Sequence, residues 1–191
     1  MKKHVITITG ALGSGKSSTA NGVAKELGYE RFSAGDFQRA AAASLNLPYD
    51  QYQKLAEQDP QYDHRADDAL IEAGKSEKRV IDARLGYHFI PDSFKVFLTL
   101  PPQIAAMRIL KDAQSNPNRH KETMHGAKDV PTIAKSIEAR RESERHRYEK
   151  YYGIKDPFER SNFDLVIDTS ETVLPEVVEK VIAAYREWLE E

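Results

Sequence analysis

The sequence predicts an α/β fold in which helices cover both faces of a central parallel sheet of about five strands. Short apolar, β-branched segments alternate along the chain with segments whose apolar residues recur at helical spacing. Strands that alternate with helices in this way are typical of a parallel sheet. The glycine-rich segment Gly10–Ser17 lies between the first strand and the first helix, where a phosphate-binding turn would stand.

The elements follow from the period of the apolar residues and from the glycines and prolines that interrupt it. Strands are predicted over residues 5–9, 29–33, 79–82, 95–100 and 164–168. Helices are predicted from the glycine-rich segment to a stop at Gly28, over 36–45, 49–57 and 62–73, from Pro101-Pro102 through Leu110, over 132–152 with a stop at Gly153, and from about Val173 to Leu189. The polar residues 112–131 contain proline and glycine, so we expect a mobile excursion there.

Gly10–Ser17 fits G-x-x-x-x-G-K-[ST], which makes the predicted fold a P-loop NTPase three-layer sandwich. Its glycines permit close approaches that a Cβ would block, so backbone N–H groups and the helix N-terminus can surround phosphates. We expect Lys16 to reach the β- and γ-phosphates of ATP and the Ser17 hydroxyl to hold Mg²⁺. The expected nucleotide-binding residues are Gly10, Leu12, Gly13, Ser14, Gly15, Lys16, Ser17 and Ser18. The alternative, a glycine turn that matches by chance, is disfavoured by the flanking strand and helix.

Composition limits the classes of function. The chain has 191 residues, 40% hydrophobic and 30% charged, with a formal net charge of -2. This balance gives no general attraction to nucleic acid or to an anionic membrane. The absence of cysteine excludes disulfides and thiol catalysis. The apolar segment after Lys2-Lys3 is too short for a signal peptide, and no stretch approaches a membrane-spanning length. We therefore expect a cytoplasmic monomer that binds small molecules, with no nucleic-acid or membrane partner.

Arginines distinguish a phosphotransferase from a protein that only binds nucleotide, because phosphoryl transfer needs positive charge around the phosphates. Arg84 follows a predicted strand directly. Arg140, Glu144 and Arg147 fall at i, i+4 and i+7, which places them on one helix face. A solvated helix face laced with ion pairs is the alternative for this segment.

Three further positions are open to two interpretations. Arg39 and Arg108 could approach the phosphates or be ordinary surface residues. Asp82, at the end of a predicted strand, suits a contact with Mg²⁺ or its waters and equally a helix or turn cap.

The chain resembles the cytidylate kinase family, in its compact form more typical of archaea. The matching segments are the glycine-rich turn, Leu27–Tyr29, Ser33–Arg39, Ala56–Pro60 with Asp63 and Asp67, Asp82–Leu85, Arg140–Tyr148, Tyr151–Ile154 and Asp164–Thr169. The glycine-rich turn is shared by many families, whereas Arg140–Tyr148 is particular to this one. The resemblance implies a nucleoside monophosphate kinase with a core (1–35, 76–111 and 153–191), a mobile arm that binds the acceptor (about 36–75) and a lid (about 112–152).

The resemblance also implies roles for individual residues in the transfer of phosphate from ATP, with Mg²⁺, to CMP or dCMP. The implied catalytic residues are Lys16, Arg84, Arg140 and Arg147. The implied acceptor-binding residues are Ser33, Gly35, Asp36, Arg39, Asp63, Arg84, Arg108 and Glu144. Ser17 and Asp82 are the expected metal contacts. In this comparison Arg140 and Arg147 are lid arginines that close over the transferred group.

Three departures from the family pattern concern selectivity and closure. Ala83 stands where a glycine is usual before the matched arginine, Gln38 replaces a bulkier residue, and the excursion 112–131 is long. Two alternatives therefore stay open: a related kinase for another nucleoside monophosphate or small acceptor, and a regulator that binds ATP without phosphorylating an acceptor.

Overall fold

Five parallel strands form one sheet in a computed structural model that describes residues 2–115 and 129–191. The strands are β1 (Val5–Gly10), β2 (Glu30–Ser33), β3 (Arg79–Asp82), β4 (Phe94–Thr99) and β5 (Leu165–Asp168). Their order across the sheet is β2-β3-β1-β4-β5, and each neighbouring pair is parallel. The predicted fold class and all five predicted strands are confirmed.

Helices connect the strands and cover the sheet. They are α1 (Lys16–Leu27), α2 (Ala34–Ser44), α3 (Tyr49–Gln58), α4 (Gln61–Lys75), α5 (Gly86–Phe89), α6 (Pro102–Ser115), α7 (Val130–Tyr152) and α8 (Leu174–Glu190). Of these, the single turn α5 escaped sequence prediction, as did a 3₁₀ turn at Arg160–Asn162. Among the helices of the described residues, none combines the length and the apolarity that crossing a membrane requires.

β1 is the central strand of the sheet, and all six of its residues are buried. Ile6 pairs with Val80 of β3 on one side and with Phe94 of β4 on the other. The main core forms where α1 and α8 cover this strand, with Val23 and Val181 fully buried between them. The carboxyl ends of β1, β2 and β3 therefore meet at one edge of the sheet, where ligands of such sheets bind.

Two predicted helix stops are confirmed by left-handed glycines, at Gly28 (φ 66°) after α1 and at Gly153 (φ 71°) after α7. The division into core, arm and lid remains a prediction. α2, α3 and α4 lie within the predicted arm. The predicted excursion 112–131 falls largely on residues 116–128, outside the described residues, while α6 continues to Ser115.

Gly22 provides a test of the packing of α1 on α8. A Cβ at this position would lie 2.6 Å from Cγ2 of Val178, a β-branched residue with little rotamer freedom. We expect Gly22→Ala to lower the free energy of unfolding by about 1–3 kcal/mol, even though alanine favours the helix. Urea denaturation measures the change, and Asn21→Ala on the exposed neighbouring position should stay within about 0.5 kcal/mol. A Gly22→Ala protein as stable as the parent would contradict this packing.

Candidate active site

The candidate site is a cavity of about 630 Å³ at the carboxyl ends of β1, β2 and β3. The predicted site residues that line it are Leu12, Gly13, Gly15, Lys16, Ser17, Ser18, Ser33, Gly35, Arg39, Asp63, Asp82, Arg84, Arg108, Arg140, Glu144 and Arg147. Three other predicted residues, Gly10, Ser14 and Asp36, do not line the cavity. Residues from the strand ends, from α2 and α4, and from α7 thus face one space.

The glycine-rich turn after β1 has the geometry of a phosphate cradle. A Cβ on Gly10 would lie 2.7 Å from the carbonyl oxygen of Leu98, so the turn can sit against β4 only with glycine there. Gly13 and Gly15 have φ values of 77° and 85°, which favour glycine. Gly15 is the N-cap of α1, and no side chain caps this helix end. Its free N–H groups are suited to an anion.

Lys16 faces the cavity, and within residues 2–115 and 129–191 its ammonium group forms no ion pair with a carboxylate. Its Nζ donates to the carbonyl oxygen of Ala11 at 3.3 Å. Burial, reinforced by the guanidinium of Arg84, lowers the pKa of Lys16 to about 7. An anionic phosphate beside the ammonium group would favour its charged form again. The surroundings of Lys16 therefore favour the binding of an anion.

Ser17, in the first turn of α1, and Asp82, the last residue of β3, are joined by a hydrogen bond. The Ser17 hydroxyl donates to Oδ2 of Asp82 at 2.7 Å, and Arg31 donates to the same oxygen at 3.0 Å. Over residues 2–115 and 129–191, no three His, Cys, Asp or Glu side chains cluster as a protein-only metal site requires. One carboxylate and one hydroxyl suit Mg²⁺, which usually binds few protein ligands together with substrate phosphates and water.

Glu144 joins two arginines that the sequence places 56 residues apart. Its Oε2 lies 3.0 Å from Nε of Arg84, and its Oε1 accepts a hydrogen bond of 3.1 Å from Nε of Arg140. Arg84 also donates through Nη1 to the carbonyl oxygen of Gly10. Burial alone would raise the pKa of Glu144, but Arg84 and Arg140 lower it to about 2. Two guanidinium groups are thus held beside the phosphate cradle.

Arg147 lies on the arm side of the cavity. Its Nη1 is 3.3 Å from Oδ2 of Asp63 on α4, and both side chains are almost fully buried. Nη2 of Arg147 donates to Gln53 at 3.5 Å, and Gln38 donates to Asp63 at 3.4 Å. Burial raises the pKa of Asp63, an effect that Arg147 opposes. Of the two predicted lid arginines, Arg147 therefore pairs with a residue of α4, while Arg140 lies beside the glycine-rich turn.

Arg39 and Arg108 both line the cavity, and each is held by contacts of its own. Arg39 pairs with Asp36, which explains how Asp36 can take part in the site without lining it. Arg108 donates to the carbonyl oxygens of Thr169 and Ser170, the latter at 3.1 Å, and so ties α6 to the chain after β5.

Several residues that line the cavity were given no binding or catalytic role from the sequence. They include Gln38, Tyr49, Gln53, Asp67, Tyr148 and Tyr152. Helical spacing was the available signal for some of them: Tyr148 and Tyr152 continue the series of Arg140 and Glu144 at intervals of four. Asp67 likewise lies one turn after Asp63.

Asp67 pairs with Tyr152 across α4 and α7. The Tyr152 hydroxyl donates to Oδ2 of Asp67. Burial raises the pKa of Asp67 to about 6, with Asp63 and Asp68 acting in the same direction and Tyr152 and His64 in the opposite one. A carboxylate held where its charge is disfavoured is a common feature of functional sites.

Comparison with known proteins agrees with this geometry. Residues 5–171 match the model of the cytidylate kinase-like family. The cytidylate kinase of Methanothrix thermoacetophila is 33% identical over 165 residues, which cover 86% of this chain and 88% of that protein. An S-adenosylmethionine-dependent nucleotide dehydratase of Lacinutrix mariniflava is 31% identical over 186 residues, but the chain spans only 36% of its length.

The fold is also that of solved small-molecule kinases. The crystal structure of shikimate kinase from Bacteroides thetaiotaomicron superposes with a TM-score of 0.62 at 15% identity, covering 98% of each chain. At this identity the likeness concerns the fold alone.

Asp67→Asn tests whether the buried negative charge of Asp67 destabilises the folded protein. The ordinary pKa of 3.8 rises to about 6 in the folded protein, so ionisation weakens the fold as the pH rises through this interval. We expect Asp67→Asn to raise the free energy of unfolding at pH 7 by about 1–2 kcal/mol. The gain should vanish near pH 4, where folded wild-type Asp67 is protonated. Urea denaturation at both pH values measures it, and an equal gain at both would refute the assignment.

Proposed function

The chain belongs to the cytidylate kinase-like family, and we propose from this premise that it transfers the γ-phosphoryl group of ATP to CMP or dCMP. The products are ADP and the pyrimidine nucleoside diphosphate, and the reaction is reversible. One observation carries the proposal: Lys16 in the glycine-rich turn and the pair Arg84 and Arg140, joined by Glu144, line the same cavity. A donor and an acceptor phosphate can therefore meet among fixed positive charges.

The glycine-rich turn holds the donor in this proposal. Its N–H groups and the N-terminus of α1 bind the phosphates, and Lys16 neutralises the β- and γ-phosphates. Ser17 and Asp82 would hold Mg²⁺, whose contribution when bound is to neutralise the charge that develops on the donor phosphates. The spacing of Ser17 and Asp82 at 2.7 Å supports a shared ligand at this point.

The arginines position the acceptor. Arg84 and Arg39 bind its phosphate, while Ser33 and Gly35 lie along the same wall of the cavity. An oxygen of the acceptor phosphate forms a bond to the γ-phosphorus as the bond to the bridging β–γ oxygen breaks, and ADP leaves with that oxygen. The acceptor phosphate is already ionised near neutral pH, so the step requires no general base.

Arg140 and Arg147 stabilise the charge of the transferred group in this proposal, and Glu144 holds Arg84 and Arg140 ready in the free protein. Movement of the arm (36–75) and the lid (112–152) would exclude water, which otherwise competes as the acceptor. We propose that the reaction takes place in the cytoplasm and that the protein acts as a monomer.

An acceptor screen tests the proposed reaction. Purified protein is incubated with ATP, Mg²⁺ and one of CMP, dCMP, UMP or AMP, and the formation of ADP is measured by a coupled assay. We expect turnover to be fastest with CMP or dCMP. Equal or faster turnover with AMP would indicate a different nucleotide kinase, and ATP binding without acceptor-dependent ADP would indicate a regulator.

Arg140→Met tests the contribution of the α7 arginines. Arg84 remains paired with Glu144 in this variant, so the buried carboxylate keeps a partner. We expect kcat with CMP to fall by a factor of about 10²–10³, which is at or just below the rate contribution of charge-stabilising arginines in other phosphotransferases. ATP binding, measured by calorimetry, should be retained. Arg145→Met, on the exposed side of the same helix, is the matched control and should retain kcat. Equal kcat for Arg140→Met and Arg145→Met would remove Arg140 from the mechanism.

A further inference from the structure

The arm end of the cavity, which we call the slot, has an apolar lining that suits a base. Its apolar walls come from Ala66 and Leu70 of α4, from Leu85 after β3 and from Tyr148 of α7. Asp67 is the acid among them, one helical turn beyond the pair of Asp63 with Arg147.

The slot lies well away from the phosphate cradle. Arg84 contacts both Gly10 and Glu144 at the cradle, whereas the partner of Asp67 is Tyr152, eight residues beyond Glu144 on α7. Eight residues of an α-helix span about 12 Å. In the proposed reaction the acceptor phosphate is held at Arg84, so the base of the acceptor extends towards Asp67.

The other polar groups at this end are engaged with one another. Gln38 accepts hydrogen bonds from Tyr49 at 3.1 Å and from Gln53 at 3.4 Å, and it donates to Asp63. Asp63 also pairs with Arg147. These contacts link α2, α3 and α4 to α7.

Asp67 differs because only one of its two carboxylate oxygens has a hydrogen-bond partner among the described residues. Tyr152 donates to Oδ2, and no other group within residues 2–115 and 129–191 hydrogen bonds to or forms an ion pair with this carboxylate. Since a hydroxyl already occupies Oδ2, Oδ1 is the oxygen that can face a ligand in the slot. An ionised carboxylate only accepts hydrogen bonds, so the slot offers an acceptor and not a donor.

We propose that Asp67, oriented by Tyr152, accepts a hydrogen bond from the exocyclic amino group of the acceptor base and so selects cytosine over uracil. Cytosine presents an N–H donor at the position where uracil presents a carbonyl oxygen. A carboxylate oxygen pairs with the first and repels the second, and a site built to bind a substrate N–H discriminates strongly against an analogue that lacks it. This inference rests on the proposed function and names the residue that reads the base.

Asp67→Asn separates this role from a structural one. The amide oxygen can keep the bond from Tyr152, which turns the amide N–H₂ towards the base. Cytosine then meets a donor with its own donor, while uracil gains a partner. We expect the ratio of kcat/KM for CMP to that for UMP to fall at least tenfold relative to wild type. Loss of structural support alone would lower both values and leave their ratio unchanged.

The matched control is Asp68→Asn, the same change on the exposed neighbouring residue of α4, which should leave the ratio at the wild-type value. Asp67→Ala removes the acceptor without adding a donor, and it should lower the ratio too, so whichever variant of Asp67 folds decides the question. Thermal unfolding followed by circular dichroism identifies the folded variants.

Each outcome has a distinct meaning. A wild-type preference for CMP that falls in the Asp67 variants and persists in Asp68→Asn supports the inference. Wild-type activity on CMP with an unchanged ratio in the Asp67 variants, or with no preference over UMP at all, overturns it and leaves the kinase function standing. A wild-type protein that phosphorylates neither nucleotide overturns the proposed function and this inference with it.

Discussion

The buried carboxylate of Glu144 is the interaction on which the arrangement of the site depends. It lies 3.0 Å from Arg84 and 3.1 Å from Arg140, and its negative charge offsets two guanidinium groups that disfavour the ammonium form of Lys16. Like charges in a buried space destabilise one another. Glu144 therefore holds these positive charges in place in the free protein. In the proposed reaction the substrate phosphates bind to arginines that are already positioned.

The sheet brings these charges together. The residues that follow β1, β2 and β3 are far apart in sequence, yet parallel pairing places all three strand ends at one edge. α7 crosses the same edge and contributes Arg140, Glu144 and Arg147 from one face. The chemistry thus depends on a rigid sheet on one side of the cavity and on helices of the predicted arm and lid on the other.

Much of the fold and of the candidate site could be predicted from local sequence patterns. The features that could not be predicted depend on tertiary contacts. The cradle has a motif of fixed spacing, and the face of α7 follows from helical periodicity, so Lys16 and Glu144 were accessible from sequence. The pairing of Asp67 with Tyr152 spans 85 residues and depends on how α4 docks on α7, which no local signal reports. α5 has only four residues, too few for a hydrophobic period to be recognised. The pairing of Arg147 with Asp63 was missed for the same reason as that of Asp67 with Tyr152.

The central position of β1 has a consequence for the stage of synthesis at which the glycine-rich turn can fold. β1 precedes its hydrogen-bonded neighbours β3 and β4 in the chain, and the glycine-rich turn rests against Leu98. Contacts between such distant segments form slowly, because the chain between them must first be closed into loops. A nascent chain that ends before β4 therefore contains the whole glycine-rich turn and lacks the strand against which that turn packs. The glycine-rich turn can therefore reach its final position only after β4 has been synthesised.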